Sequence, residues 1–583
     1  MLPKSHILFV LLLSGSMLSV QATPNLFQDR QAEDSTHFEQ LLSKANDFLY
    51  DNVYDSAVFY YTKIRKMATL EENWRVVVIS NYNLASILTD KGEYDQAEAQ
   101  LLKTIGIIDT HINGPTSLRA DVYSYLGHNY GLKSNFPAAL SYMQKAVDIY
   151  LNTLGEKHRF TARAYSSLGT YYNNLEQSNE LAIASFEKSI DILKALDMQQ
   201  TLEMSRVYND LANTYQDMEQ NQQALHYHQL SLGIKQKVLV ATHYEVSVSY
   251  FNLAQNAMAM GDVAGGIDYY QKALKIDIHN FGPEHRWVAE DYFNLANCYN
   301  LIGSYDKAIR YAQKSVDMLR TSYGDEDLKV AMAMNALARA HASIEDYQKA
   351  RVHFSDALKV YTKVADDFKV YDATTGKSHV LNSLGTVMLA EEQYDQAIDY
   401  HQEALQIFTG LQDQQKAAIG DTQMFLARAY LKKKDAATAQ RYLTDALQNY
   451  EQSVGLQHPV VAEAKSLVGD AYLQVLEYDK ALEAYQMALA CFSPQYDVGA
   501  LNTFPDKNEL RLDRRLISSL EKKARALRTR FDQSQNPEDL RLALSNLKFA
   551  AELVDSMRIV YVQEGSTYNS LRDHLSVYEE AIG

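Results

Sequence analysis

A small residue recurs eleven times between residues 45 and 488, and its spacing restricts the fold more than any other feature of the chain. Ala45, Ala85, Gly127, Gly169, Ala212, Ala254, Ala296, Ala338, Gly385, Ala427 and Gly469 hold one slot, at intervals of 40, 42, 42, 43, 42, 42, 42, 47, 42 and 42 residues. Leucine usually precedes the slot, as at Leu84, Leu126, Leu168, Leu211, Leu253, Leu295 and Leu337. An aromatic often follows three residues later (Tyr130, Tyr172, Tyr215, Tyr299, Tyr430, Tyr472), and another nine later (Tyr54, Tyr94, Phe136, Tyr305, Tyr347, Tyr394, Tyr478). A second small residue stands twelve later, as at Ala57, Ala97, Ala139, Ala224, Gly266, Ala308, Ala350, Ala397, Ala439 and Ala481. A pattern with this period predicts stacked units that bury their apolar faces on one another, a design that builds binding surfaces more readily than catalytic pockets.

One unit, Tyr292 to Val316, shows what each repeat builds. Leu295, Ala296, Tyr299 and Leu301 follow a helical spacing, Gly303 interrupts it, and Ala308, Ile309, Ala312 and Val316 resume it on a second helix. Two helices approach closely only where no bulky side chain separates them, and Ala296 opposite Ala308 supplies such a place. Tyr299 and Tyr305 are expected to fill the space beside it. The fold class expected is all-α.

With these motifs in place, residues 36–492 resemble the tetratricopeptide repeat family. The usual unit of that family is about 34 residues. The eight additional residues here would lengthen each helix by about one turn, at about 3.6 residues per turn, which is similar to the long repeats of kinesin light chains and of many bacterial multi-repeat proteins. The turns LGEKHRF, FGPEHRW, YGDEDLK and VGLQHPV strengthen the likeness. They place Gly155, Gly282, Gly324 and Gly455 where a left-handed helix C-cap is expected, and His158, His285 and His458 just after. The resemblance implies a right-handed α-solenoid of eleven antiparallel hairpins. Two irregularities stand out: an additional residue between Gly169 and Ala182, and five in the interval to Gly385, where DDFKVYDATTGKSH predicts a longer loop or a break in the superhelix.

After the repeats the beat changes. Pro494 and Pro505 interrupt it, and residues 493–583 read as a degenerate twelfth hairpin with Ala524, Ala543 and Ala550 in the small slots. This tail resembles the connector of bacterial tetratricopeptide proteins of the CHAT class, through Leu553 to Arg558 and Val577 to Ile582. That class carries a caspase-like protease domain beyond the connector, and no His/Cys dyad of such a domain occurs in this sequence. Arg511 to Arg530 is locally basic, with Arg511, Arg514, Arg515, Lys522, Lys523, Arg525, Arg528 and Arg530. It is either a solvated helix face or one that meets an acidic partner or another part of the chain.

Residues 1–22, MLPKSHILFVLLLSGSMLSVQA, read as a signal peptide: Lys4 opens it, Ile7 to Leu13 is apolar, and Val20-Gln21-Ala22 has cleavage-site spacing. An uncleaved anchor is the alternative, although the apolar run falls short of the roughly 20 residues of a span. Residues 23–35 form a short lead. The expected location is periplasmic or extracellular, with no stable membrane insertion after cleavage. The net charge of −17 disfavours general affinity for nucleic acid or anionic membranes. Cys298 and Cys491 lie in distant repeats among apolar neighbours and read as small core residues.

No phosphate loop, metal-binding motif or catalytic constellation emerges. The GDVAGG stretch is an inter-helix turn, and the 16 histidines are scattered or belong to turns. The chain is therefore expected to be a non-catalytic scaffold without cofactor or metal, whose partner is a protein or peptide. In the family it resembles, the first helix of each hairpin lines a concave groove, through slots three before and one, four and five after the first small residue. These fall on Ser124, His128, Asn173, Asn174, Asn209, Asn213, Asp217, Asn297, Asn300, Asn335, Arg339, Asn382, Arg428 and Lys432, with Arg163 and Arg206 nearby. Asparagine pairs with a peptide amide in both directions, so a row of them suits an extended main chain. Arg163, Arg206, Arg339 and Arg428 would meet acidic side chains or a C-terminus. Asn83, Asn252 and Asn294 are expected to bond within their own hairpins. Three roles compete: the recognition arm of a CHAT-type protease system, a stand-alone assembly scaffold, and the sensor region of a bacterial signalling protein.

Overall fold

A computed structural model describes residues 36–50, 53–175, 178–368, 371–411, 415–493, 496, 498–505, 510 and 513–563. The expected signal peptide (1–22), the lead (23–35), Pro494, Arg511 and the Val577–Ile582 string lie outside the described residues. Among the described residues every regular element is helical, and the chain divides into two units, Met1–Met260 and Gly261–Gly583.

Unit one begins with α1 (Thr36–Tyr50), α2 (Tyr54–Leu70), α3 (Trp74–Asp90), α4 (Tyr94–His111), α5 (Ser117–Leu132) and α6 (Phe136–Leu154). It continues with α7 (Arg159–Asn173), α8 (Asn179–Ala195), α9 (Leu202–Asp217), α10 (Asn221–Val238) and α11 (Tyr244–Ala259). Unit two opens with α12 (Val263–Phe281), α13 (Arg286–Leu301), α14 (Tyr305–Tyr323), α15 (Leu328–Ser343), α16 (Tyr347–Phe368) and α17 (Tyr371–Ala390). It closes with α18 (Tyr394–Gly410), α19 (Lys416–Lys432), α20 (Ala436–Ser453), α21 (Pro459–Gln474), α22 (Tyr478–Leu489), α23 (Arg514–Ser534) and α24 (Pro537–Gln563). Within each unit every helix packs on the next in sequence, and most odd-numbered helices from α3 on also touch the following odd-numbered one of their unit. Within each unit the odd helices, which carry the first small slot, thus lie side by side as a layer.

The small slots hold because the helices leave no room there. A Cβ added to Gly127 would stand 3.2 Å from the carbonyl oxygen of Ala139, the second small residue of its hairpin. At Gly169, Gly385 and Gly469 it would meet the rings of Phe186, His401 and Tyr485 at 2.7, 2.5 and 2.5 Å. Ala296 and Ala308 are both buried. Tyr299 does flank that contact, but by stacking on Tyr311, with ring centroids 5.4 Å apart, while Tyr305 is only half-buried. The same stack recurs as Tyr130–Tyr142, Tyr215–Tyr227 and Tyr430–Tyr442.

The turns carry a different constraint. Gly155, Gly282 and Gly324 end their helices at φ near +84, as expected, but with ψ of 174, 163 and 170 they lie outside the left-handed helical region. That mirror-image extended region is open essentially to glycine alone. The histidines that follow are N-caps. Nδ1 of His158, His285 and His458 accepts from the backbone N–H of Phe160, Trp287 and Val460 at 3.1, 3.3 and 3.3 Å. The additional residues before Gly385 lengthen helices where a loop or break was expected: α16 has 22 residues and α17 has 20, against 19 in α14.

In the tail, α23 and α24 form a hairpin packed on α21 and α22, with Ala524, Ala543 and Ala550 buried. The basic stretch meets the chain's own acids. Arg515 donates to Glu463 at 2.9 Å, Lys522 to Asp470 at 2.6 Å, and Arg530 to Asp479 at 2.7 Å. Lys523 is fully buried, donating to Gln486 Oε1 at 2.5 Å and to the Leu501 carbonyl at 2.9 Å. Burial pulls its pKa from 10.5 down to about 7. Between those values the unfolded chain holds a proton that the folded chain lacks, so stability of this hairpin should rise with pH. The slope is at most about 1.4 kcal/mol per pH unit. Thermal melts from pH 7 to 9 should show the rise, and Lys523→Met should flatten it. An equal slope in wild type and variant would mean that Lys523 stays protonated in the fold.

Candidate peptide-binding face

Within each unit the odd helices bring the expected groove residues onto one layer, but these do not all stand free there. In unit one, Asn209 is buried, and its side-chain oxygen accepts from Asn252 of the next odd helix at 2.7 Å. Asn173 donates to Asp217 at 2.9 Å. In unit two, Asn382 donates to Thr422 at 2.8 Å and its oxygen lies 3.0 Å from His401 Nδ1. Asn300 accepts from Ser343 at 3.4 Å. These four asparagines tie successive repeats together. Asn83 and Asn294 bond within their own helices, to the carbonyls of Ile79 and Glu290 at 2.9 Å each, but Asn252 crosses to the neighbouring repeat and departs from the expectation. Asn174 likewise bonds within its helix, to Thr170 at 2.8 Å.

The arginines divide in the same way. Arg206 pairs with Glu245 at 2.9 Å, and Arg428 pairs with Glu463, which Arg515 also holds. Arg163 is half-buried and Arg339 is exposed, and neither has a hydrogen bond or ion pair among the described residues. Arg339 stays ringed by protein atoms, and this desolvation pulls its pKa down. Asn213 and Asn297 are half-buried, with amides that bond to no described residue. Asn335 has an enclosed side-chain oxygen without a partner. Lys432 is exposed.

Around Arg163, unit one gathers groups that the sequence reading passed over. Tyr82 and Tyr125 stack with centroids 5.1 Å apart. Asp121 accepts from the Tyr150 hydroxyl at 2.6 Å, and burial raises its pKa to about 6. Burial, then the Arg163 charge, lowers His128 to about 4, so its imidazole is neutral at pH 7. A second recurrent feature was legible but missed, a cation six after the small slot paired with the preceding repeat's Asp ten after its own. It gives Lys91–Asp55, Lys133–Asp95 and Lys433–Asp395 at 3.8, 2.7 and 2.5 Å. Arg530–Asp479 continues the series into α23.

Among the described residues no three His, Cys, Asp or Glu side chains are grouped to hold a metal. Both cysteines are buried, and neither forms a disulfide. No described helix is long and apolar enough to cross a membrane. Antiparallel helix pairs with small residues at their crossings, joined within each unit through a polar layer, define an all-α repeat protein of the scaffold type. Tetratricopeptide repeat signatures match residues 76–152, 118–195, 250–321, 292–363, 376–452 and 418–493, and a further one matches 205–245. Because these cover more than half of the 583 residues, the chain belongs to the tetratricopeptide repeat family.

No curated protein matches the chain. Several solved structures are similar at low identity. BtubC from P. vanneervenii is 19% identical over 42% of this chain and 92% of its own, with a TM-score of 0.35. A Rap protein complexed with competence and sporulation factor is 14% identical, over 64% of this chain and 99% of its own, with a TM-score of 0.43. The APC/C hetero-tetramer Cut9–Hcn1 is 15% identical over 89% and 94%, with a TM-score of 0.39.

Proposed function

We propose that this chain is a long-unit tetratricopeptide scaffold whose odd-helix layer holds an extended peptide or protein segment. The observation that carries the reading is the set of polar side chains in that layer left without partners: Arg163, Asn213, Asn297, Arg339 and the side-chain oxygen of Asn335. A half-buried polar group without a partner, as at Arg163, Asn213 and Asn297, is costly, and a ligand main chain relieves that cost, while the exposed Arg339 adds an accessible donor. The bonded asparagines, Asn173, Asn209, Asn300 and Asn382, set the repeat-to-repeat register that presents the others.

The leader-like first 22 residues extend the proposal to an exported protein working in a periplasm or outside the cell. The connector-like string Leu553 to Arg558 extends it to the recognition arm of a CHAT-type protease system. A caspase-like reading frame beside the gene is the expected companion; its absence would leave the stand-alone scaffold.

The test of binding is capture from native extract. Within unit two, an Asn297→Ala, Asn335→Ala, Arg339→Ala variant should lose at least about tenfold in affinity for a partner held by wild type, roughly the sum of three lost hydrogen bonds. Its melting should be unchanged, because none of the three side chains bonds to the fold. Undiminished capture would move the binding surface away from this layer.

A further inference from the structure

We propose that the α15–α16 hairpin of unit two is an acid-opened clasp, in which His341 and His353 replace a tyrosine stack and part when both are protonated. Asn335 and Arg339 lie on α15, so opening would also release what they hold. That consequence rests on the binding face, while the clasp itself does not.

Three observations converge on this hairpin. Four other hairpins stack two tyrosines three residues after their small residues, as Tyr130–Tyr142, Tyr215–Tyr227, Tyr299–Tyr311 and Tyr430–Tyr442, with centroids 5.4 to 5.7 Å apart. His341 and His353 stand three after Ala338 and Ala350 and keep that geometry, at 5.7 Å and 20°. A tyrosine pair stays uncharged through the pH range in which an imidazole gains its proton. His341 is buried and His353 half-buried, so two imidazolium charges would face each other with little water between them. The acid beside the stack is already engaged. Asp346 Oδ2 lies 3.4 Å from His341 Nδ1 but accepts from Lys349 Nζ at 3.0 Å, and Oδ1 caps α16 through the Lys349 backbone N–H at 3.3 Å.

The other charges packed around the hairpin offer no relief. On α16, Asp356 pairs with Lys359 at 3.0 Å, and on α14, Arg320 pairs with Asp325 at 2.9 Å. Just beyond α17, Glu391 pairs with Arg351 at 3.3 Å. On α13, Glu290 pairs with Lys329 at the far end of α15, at 2.6 Å. Asp346 and Asp356 favour charge on the rings, Lys349 and Arg320 oppose it, and the two effects offset. Burial, and for His353 the neighbouring ring, then pulls both pKa values below the ordinary 6.5. Between 6.5 and those lowered values the open hairpin binds protons that the closed one lacks. Closure is therefore complete above about 6.5 and weakens as pH falls, with each such proton raising the opening constant by up to about tenfold per pH unit.

Amide exchange in the full chain at pH 7.5 and pH 5.0, corrected for the intrinsic pH dependence of exchange, reads the opening constant of residues 337–357. It should rise at least about tenfold, while that of α19–α20, built on Tyr430–Tyr442, should change less than about threefold. His341→Tyr with His353→Tyr restores the tyrosine stack and should remove the rise. Lys349→Met leaves Asp346 Oδ2 to His341 alone and should reduce it. NMR of 13C-labelled histidine gives the titration midpoint of each ring, which should lie below 6.5 in wild type, and it decides the question should the double variant fail to fold. An opening constant unchanged by pH, a rise that persists in the double tyrosine variant, or midpoints above 6.5 for both rings would overturn the clasp. None of these readings involves a partner, so the binding face stands or falls separately.

Discussion

Arg530→Leu should destabilise the C-terminal hairpin by about 3–5 kcal/mol, the cost of stranding a buried carboxylate. Asp539 is 2% exposed. Its two oxygens receive Arg530 Nε at 3.0 Å and Nη2 at 2.6 Å, a bidentate pair, while Arg530 Nη1 reaches back to Asp479 of α22 at 2.7 Å. One guanidinium therefore ties α23 to α24 and the hairpin to the repeat before it. Without it, the nearest remaining donor to Asp539 is the Ser534 hydroxyl at 3.5 Å, too distant to replace a charged fork. Replacing both partners, Arg530→Leu with Asp539→Leu, should recover more than half of the loss, since apolar pairs of similar volume replace buried ion pairs at little cost. Stability in a repeat stack is local, so amide exchange over 514–556 is the measurement. A loss under about 1 kcal/mol would class the pair as an ordinary surface contact.

The second large effect belongs to the close crossing of α21 and α22. Tyr485 is fully buried, its ring lies over Gly469, and its hydroxyl donates to Asp470 at 2.8 Å. Tyr485→Ala should cost about 3–5 kcal/mol through lost contacts and the cavity left behind. Gly469→Ala addresses the same contact from the other side. Its Cβ would stand 2.5 Å from Tyr485 Cε1 and 2.7 Å from Cζ, so the fully buried ring would have to shift. Overpacking of about 1–3 kcal/mol should exceed the roughly 1 kcal/mol that alanine gains over glycine in a helix. In a Tyr485→Leu background, Gly469→Ala should turn neutral or stabilising. Urea melts of the four proteins give the coupling, and strict additivity would contradict a packing origin for the small slot.

The parts of the fold that could be read from the sequence are those a single hairpin decides. Ala296 and Ala308 must be small because their own two helices cross there, so the slots reveal helices, turns and phase without knowledge of neighbours. The binding face could not be read in the same way. Whether Asn209 faces a ligand or the next repeat depends on Asn252, 43 residues on, and Asn382 depends in the same way on Thr422. Asn213 and Asn297, one residue after the small slot, have no such neighbour. The basic helix was ambiguous for the same reason, since Arg515, Lys522 and Arg530 find Glu463, Asp470 and Asp479 some fifty residues back. Local charge identifies a cation, while its partner is fixed by the stacking of whole repeats. The residues around Gly385 show the converse: a polar insertion reads as loop, yet its described residues 366–368 and 371–379 are helical, in α16 and α17, because a packed helix extends at low cost.

The central claim is that the odd-helix layer is where this protein meets its partner. A photo-reactive amino acid at Asn213 or Asn297 tests it, against the same group at Leu230 and Val352, exposed positions on the even helices α10 and α16. After irradiation in native extract, Asn213 and Asn297 should yield a cross-linked partner, and Leu230 and Val352 should not. A partner captured only from the even-helix positions would contradict the account.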